Sequence, residues 1–149
     1  MKIALVSDCG GHLTQMLHLL EAFRDHEFFF ITYFSPRDED LKNIAPVHLL
    51  KAGEMNLYIF VKAYFQAFNI LLREKPDVLI STGAQIALPF FLWGKVMGKK
   101  LIFIESWSRV NKLSMTGQLL YPVVDEFFVQ WPEMAEIAGS KAKYRGSVI

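Results

Sequence analysis

Short unbroken apolar runs alternate along this chain with longer stretches in which apolar residues recur every three or four positions. The short runs read as strands buried on both faces, at residues 2–6, 27–33, 47–50, 78–81, 101–104 and 126–129. After the first of them, Leu13, Met16, Leu17 and Leu20 follow the i, i+3, i+4, i+7 spacing of an amphipathic helix. Residues 34–42 hold Ser-Pro and a cluster of charges and read as a loop or a short helix, and Gly53 is a breaker behind the third strand. Residues 56–73 predict a long helix. Leu57, Phe60, Val61, Tyr64, Phe68, Leu71 and Leu72 mark its main apolar face, and Ile59, Ala63, Phe65, Ala67 and Ile70 widen it. A wide contact with the sheet is the preferred account of that width; burial of part of it in another surface is the alternative. Lys75-Pro76-Asp77 ends this helix, and residues 85–98 form another that is apolar nearly all round, with Pro89 tolerated in its first turn. Burial on every side is difficult in a small domain, so this helix is expected at a lipid or protein interface. A short helix starting at Ser114 or Thr116 and one opening at Trp131-Pro132 and running to about Ala138 complete the pattern.

Strand and helix alternate throughout. The expected fold class is therefore α/β: a doubly wound, mostly parallel, Rossmann-like sheet with helices on both faces. Residues 1–149 read as one domain, without repeats, low-complexity tracts or linkers. In such sheets ligands bind beyond the carboxyl ends of the strands, where the strand order reverses.

Composition narrows the function classes. The net charge of +1 argues against a nucleic-acid binder that works by neutralising phosphates. A single cysteine, Cys9, excludes an internal disulfide, fits a reducing compartment and reads as a loop residue rather than a nucleophile. The apolar start is too short for a secretory signal, and no stretch reaches spanning length without a charge or a turn. Hydrophobic residues make up 52% of the chain, enough for a core. The thirteen phenylalanines exceed what a core requires and keep a membrane-surface or subunit interface in view.

Three polar segments emerge from predicted strand ends. The first, Ser7-Asp8-Cys9-Gly10-Gly11-His12, places paired glycines on a turn between a strand and a helix N-terminus. Gly10 and Gly11 permit positive φ and close approach, and the free N–H groups of the helical turn beyond them, with Thr14, favour an anion such as a phosphate. The same turn serves many α/β proteins that bind nothing there, and the third glycine of a dinucleotide fingerprint is lacking. His12 at its mouth suits hydrogen bonding to phosphate or proton transfer near neutral pH; a helix-capping or solvated histidine is the alternative. The second segment is Ser81-Thr82-Gly83. The third is Glu105-Ser106-Trp107-Ser108-Arg109, in which Glu105 suits a general base and Arg109 a phosphate or carboxylate. A structural ion pair between Glu105 and Arg109 is the competing account.

Gly-Gly-His-Leu-Thr-Gln-Met-Leu at 10–17, Ser-Thr-Gly at 81–83 and Glu-Ser-Trp-Ser-Arg-Val at 105–110 together resemble one family, as do Leu113-Ser114-Met115-Thr116-Gly117, Tyr121, Asp125 and Val129-Gln130-Trp131-Pro132. It is the Alg14-like family: the acceptor-side, membrane-anchoring subunit of the split UDP-N-acetylglucosamine transferase of the dolichol oligosaccharide pathway, together with bacterial capsule and exopolysaccharide proteins. The resemblance covers nearly the whole chain. It implies one half of a GT-B enzyme, similar to the N-terminal domain of the single-chain transferase MurG, which makes the peptidoglycan lipid precursor. A separate small subunit, Alg13-like, would supply the UDP-sugar-binding half, and the active site would be the cleft between them. The chain stops at 146–149, where a one-chain enzyme would continue into its second domain. It also starts directly on its first strand, without the membrane helix of eukaryotic members, which favours a prokaryotic source. Membrane attachment would then fall to the apolar faces at 57–72 and 86–97.

The function implied is inverting transfer of N-acetylglucosamine, glucuronate or galactose from a UDP-sugar to a lipid-diphosphate-linked acceptor, at the cytoplasmic face of the membrane. His12 is the preferred base, and Glu105 either shares that role, fixes the acceptor or orients its loop. Gly10, Gly11, Thr14, Ser81, Thr82, Gly83, Ser106 and Arg109 are the expected phosphate and substrate contacts. No metal and no cofactor beyond the donor sugar nucleotide is expected, and no nucleic-acid partner. Two rival readings are a non-catalytic membrane scaffold that recruits and activates a partner transferase, and a free-standing flavodoxin-like nucleotide binder.

Overall fold

The computed structural model describes residues 1–51 and 57–148. Gly53, the start of the long helix at residue 56, and residue 149 lie outside the described residues. Seven parallel strands form one sheet: β1 (Lys2–Val6), β2 (Glu27–Tyr33), β3 (Val47–Leu50), β4 (Val78–Ser81), β5 (Lys100–Ile104), β6 (Glu126–Val129) and β7 (Ala142–Tyr144). Their order is β3-β2-β1-β4-β5-β6-β7. The chain builds outward from β1 in one direction, then returns to its other side at β4. The reversal between β1 and β4 opens a crevice at their carboxyl ends. The sequence pattern predicts six of these strands. It misses β7, a short edge strand with two exposed residues and no apolar run to announce it.

Alternate side chains of each strand enter two separate cores. Ile3 and Leu5 of β1, with Phe30, Val78 and Ile80, pack under helices α1 (Gly11–His18) and α2 (Asp38–Lys42), represented by Leu13, Met16 and Leu41. Ala4 and Val6, with Phe29, Ile31, Leu79, Leu101, Phe103 and Phe127, pack against α3 (Leu57–Glu74), α4 (Ala87–Val96), α5 (Met115–Leu120) and α6 (Pro132–Ala138) on the opposite face.

The two strongly apolar helices differ in what they bury. Expected at an interface, α4 instead buries Ala87, Pro89, Phe90, Phe91 and Gly94 between the sheet and α3, and leaves mainly Leu92 and Val96 outside. A methyl group at Gly94 would sit 2.8 Å from Leu101 Cδ2, so the missing side chain is what lets α4 approach the sheet so closely. The helix is apolar all round because neighbours surround most of it. In α3, Ala67 and Leu71 are buried, and the rings of Tyr64 and Phe68 pack at a tilt against Trp93 of α4. Tyr58, Val61, Phe65 and Leu72 nevertheless form an exposed stripe on its outer side. Its width thus comes from two faces, one on the protein and one on solvent. Among the described residues, no helix is long and apolar enough to cross a membrane.

Candidate functional site

The carboxyl ends of β1 and β4 are joined by a reciprocal pair of hydrogen bonds. His12 Nδ1 donates to the Thr82 carbonyl oxygen at 2.8 Å, and Thr82 Oγ1 donates to the His12 carbonyl oxygen at 2.7 Å. A carbonyl only accepts, so the ring proton sits on Nδ1, and in the neutral ring Nε2 carries the free lone pair. Ser81, fully buried, folds its hydroxyl onto the turn, donating to Gly83 O and accepting from Gly83 N–H. Gly83 has φ +122°, and a methyl group there would stand 2.7 Å from His12 Cε1. Ala84 follows with φ 72°, a conformation that costs a non-glycine residue energy and marks an over-determined turn. The Ser81-Thr82-Gly83 turn therefore holds the imidazole: the hydroxyls of Ser81 and Thr82, both buried, are engaged with backbone rather than open to a ligand.

The glycine turn differs from its expected geometry. Gly10 has φ −95°, and neither it nor Gly11 is among the residues with positive φ. Their value is space. Apart from its chain neighbours and the backbone of its own helix, no atom lies within 4 Å of where a Gly11 side chain would start, and no side chain caps α1. The first N–H groups of that helix are left to whatever approaches over the glycines. Thr14 is exposed, and its Oγ1 accepts from Arg37 Nη1 at 3.0 Å. Arg37 is a cation at the mouth of the turn with no carboxylate partner among the described residues; sequence reading misses it because it lies in the loop before α2.

Glu105 behaves differently from His12. It is 1% exposed. One carboxylate oxygen accepts the Ser106 N–H at 2.9 Å, and the other accepts both the N–H and the hydroxyl of Ser114, at 2.9 and 3.0 Å. Ser114 Oγ in turn accepts the Gly117 N–H, which makes Ser114 the N-cap of α5. A methyl group at Gly117 would overlap Glu105 Oε2. Of the roles considered for Glu105, loop orientation matches these contacts: the carboxylate pins the loop after β5 to the start of α5. It forms no ion pair with Arg109, which is exposed and bonded through its backbone N–H to Ser106 O. Ser106 is buried, and its hydroxyl lies 3.0 Å from that of Ser108.

Two glutamines connect these loops. Gln15 Oε1 accepts from Trp107 N–H and from Gln130 Nε2 at 2.6 Å, while Gln130 Nε2 also donates to Glu105 O. Gln15 lies off the apolar stripe of α1 yet is only 3% exposed, because the loop after β5 folds over it. Hydrophobic periodicity carries no sign of this; only the motifs containing Gln15 and Gln130 point there. Among the described residues, no three His, Cys, Asp or Glu side chains gather as a metal site.

The model of the family described as "Oligosaccharide biosynthesis protein Alg14 like" matches residues 51–148. The chain belongs to the Alg14-like family. It is 32% identical to the UDP-N-acetylglucosamine transferase subunit alg14 of Schizosaccharomyces pombe, over 93% of this chain and 79% of that protein. It is 34% identical to mouse ALG14, over 100% of this chain and 83% of that protein. Among solved structures, MurG of Acinetobacter baumannii superposes with TM-score 0.77 at 16% identity, and the UDP complex of Staphylococcus aureus MnaA with TM-score 0.80 at 18%. This Alg14-like chain covers 97% and 99% of its own length in those superpositions but only 45% of each of the larger chains. Its α/β, Rossmann-like fold is thus that of one half of a GT-B-type molecule.

Proposed function

We propose that this chain is the acceptor-side subunit of a two-component inverting glycosyltransferase. The relatives are named UDP-N-acetylglucosamine transferase subunits, which supports a glycosyltransferase subunit and makes N-acetylglucosamine the first donor sugar to test. The observation that carries the reading is the His12–Thr82 clamp, which engages Nδ1 of the imidazole at the strand-order reversal and leaves Nε2 without a hydrogen-bond partner among the described residues. In the proposed reaction, an acceptor hydroxyl oxygen attacks the anomeric carbon of the UDP-sugar. His12 Nε2 takes the hydroxyl proton, the glycosidic oxygen bond forms, and the bond to UDP breaks with inversion. The open N–H groups of α1, with Thr14 and Arg37, face the negative charge of a lipid-linked diphosphate acceptor. Arg109, exposed and without an ion pair among the described residues, is available to the same anionic substrates. The reading assigns no metal and no further cofactor; a small Alg13-like partner would bind the sugar nucleotide. The exposed α3 stripe suits a peripheral position on the cytoplasmic face of a membrane.

That stripe also favours a second reading, a scaffold that recruits a catalytic partner to the membrane. One experiment separates the two. The chain is co-expressed with a small Alg13-like transferase subunit, and UDP release and glycolipid product are measured for each chain alone and for both. Activity only in the mixture, lost in His12→Gln while the complex still assembles, supports the catalytic reading. Full activity of the partner alone, or an unimpaired His12→Gln complex, overturns it in favour of the scaffold.

A further inference from the structure

Ser106, Trp107, Ser108 and Arg109 form a tight turn after β5. Arg109 N–H donates to Ser106 O at 2.9 Å, and Ser108 N–H to Ser106 Oγ at 3.4 Å. Both backbone groups of Trp107 are held from other elements. Its N–H donates to Gln15 Oε1 of α1 at 3.1 Å, and its carbonyl accepts the indole N–H of Trp131, just before α6. The side chain is left open. Trp107 is 45% exposed and belongs to neither core. Among the described residues, its indole makes no ring contact and its Nε1–H has no hydrogen-bond partner. The fold fixes the backbone at this position and asks nothing of the indole. This loop adjoins the glycine turn through one side chain. Gln15 Nε2 lies 3.4 Å from Gly11 O and 3.5 Å from Ser106 Oγ, while its Oε1 holds the Trp107 N–H. One amide group thus spans from the anion-favouring start of α1 to the backbone of Trp107. The exposed Arg109 follows two residues later.

An open indole, a free N–H donor and a guanidinium, all on a fixed loop beside a helix N-terminus that favours phosphate, match one ligand chemistry: a pyranose ring joined to a diphosphate. The electron-rich face of the indole attracts the C–H groups on the flat side of a sugar ring. Its Nε1–H can donate to a ring hydroxyl. Arg109 and the first N–H groups of α1 suit the diphosphate. We infer that Trp107 is the stacking platform for the diphosphate-linked sugar of the acceptor and sets the preference for a glycosylated over a bare lipid diphosphate. The inference rests on the acceptor-side reading above and adds to it the residue that selects the sugar. Because the loop is ordered before the ligand arrives, stacking costs little backbone freedom.

The test is calorimetric titration of the full chain with geranyl diphosphate and with its glucosyl, galactosyl and N-acetylglucosaminyl esters. The expected result is that all four bind, the best sugar ester about tenfold or more tighter than geranyl diphosphate. Trp107→Ala should abolish that preference without weakening geranyl diphosphate, and Trp107→Phe should keep part of it. The indole has no partner to lose, so the melting temperature of Trp107→Ala should stay within a degree or two of the unaltered protein. A preference for the sugar that survives in Trp107→Ala overturns the inference, as does equal binding of all four compounds by the unaltered protein; either result leaves the acceptor reading intact. Failure of all four to bind overturns both. Two further titrations identify other uses of the indole. Weaker binding of uridine monophosphate by Trp107→Ala, with the sugar esters unaffected, overturns the inference in favour of a nucleobase platform. Weaker co-flotation with anionic phospholipid vesicles, again with the esters unaffected, overturns it in favour of a membrane contact.

Discussion

His12 and Thr82 hold each other by both ends: the ring of one binds the carbonyl of the other, and the hydroxyl of the second binds the carbonyl of the first. The pair fixes a tautomer as well as a position. His12→Gln is expected to lower turnover of the assembled complex by about 10²–10⁴-fold, the usual worth of a general base, with little change in melting temperature. Thr82→Val keeps the carbonyl and removes only the hydroxyl bond; it should cost about 1 kcal/mol of stability and a smaller share of the rate. Steady-state kinetics beside thermal melts check both.

Gly83→Ala tests the fit of the ring against its turn. The new methyl group meets the imidazole at 2.7 Å in a backbone conformation that alanine resists. Displacement of the ring by a fraction of an ångström to one ångström should lower kcat by up to about a hundredfold while the complex still forms. An unchanged kcat would mean that the ring position is not rate-determining.

Glu105 is expected to behave as a structural residue. Glu105→Gln removes the charge from a carboxylate that accepts three hydrogen bonds and turns an amide N–H₂ towards donors. The loss should be about 2–3 kcal/mol in denaturant unfolding. Activity per folded molecule should fall less than in His12→Gln. Gly117→Ala, by crowding the same carboxylate, should reproduce the stability loss.

The Lys2–Glu74 pair, at 2.7 Å and joined by His48, predicts a pH profile of stability. The hydrogen bond from Lys2 holds the Glu74 carboxyl below the usual carboxylate range, and that from Glu74 holds the Lys2 amine above its usual range. The depressed carboxylate contributes stability above its unfolded pKa and loses it as pH falls through the folded value. The raised amine contributes below its unfolded pKa and loses it as pH rises through the folded value. The pair is therefore fully effective between the two unfolded values. Both side chains are about a quarter exposed, so solvent screening keeps the contribution within about 1 kcal/mol. Glu74→Gln should lower the melting temperature by up to about 2–4 °C at neutral pH, with the difference vanishing in acid.

The outer face of α3 predicts association with lipid. Phe65→Glu, at a position 60% exposed, should weaken co-flotation with anionic phospholipid vesicles by about tenfold or more, without altering the melting temperature by more than a degree or two. The same substitution should leave the binding of vesicles unchanged if the stripe instead faces a protein partner.

Hydrophobic rhythm by itself determined the α/β class, six of the seven strands and the existence of the main helices, because a buried strand or an amphipathic helix is a local pattern that a core rewards directly. It also located Gly10-Gly11-His12, Ser81-Thr82-Gly83 and Glu105-Ser106 at strand ends, since polar residues that follow an apolar run sit where the strand leaves the core. Only the tertiary structure decided what each does. His12 and Thr82 are seventy positions apart and meet because β4 returns to the side of β1. Glu105 spends its charge on Ser114, and Gln15 is buried by a loop that its own helix cannot announce. The apolar surroundings of α4 and the two faces of α3 were likewise undecidable from composition: an apolar side chain is selected both by a core and by an external surface, and only the packed neighbours distinguish them.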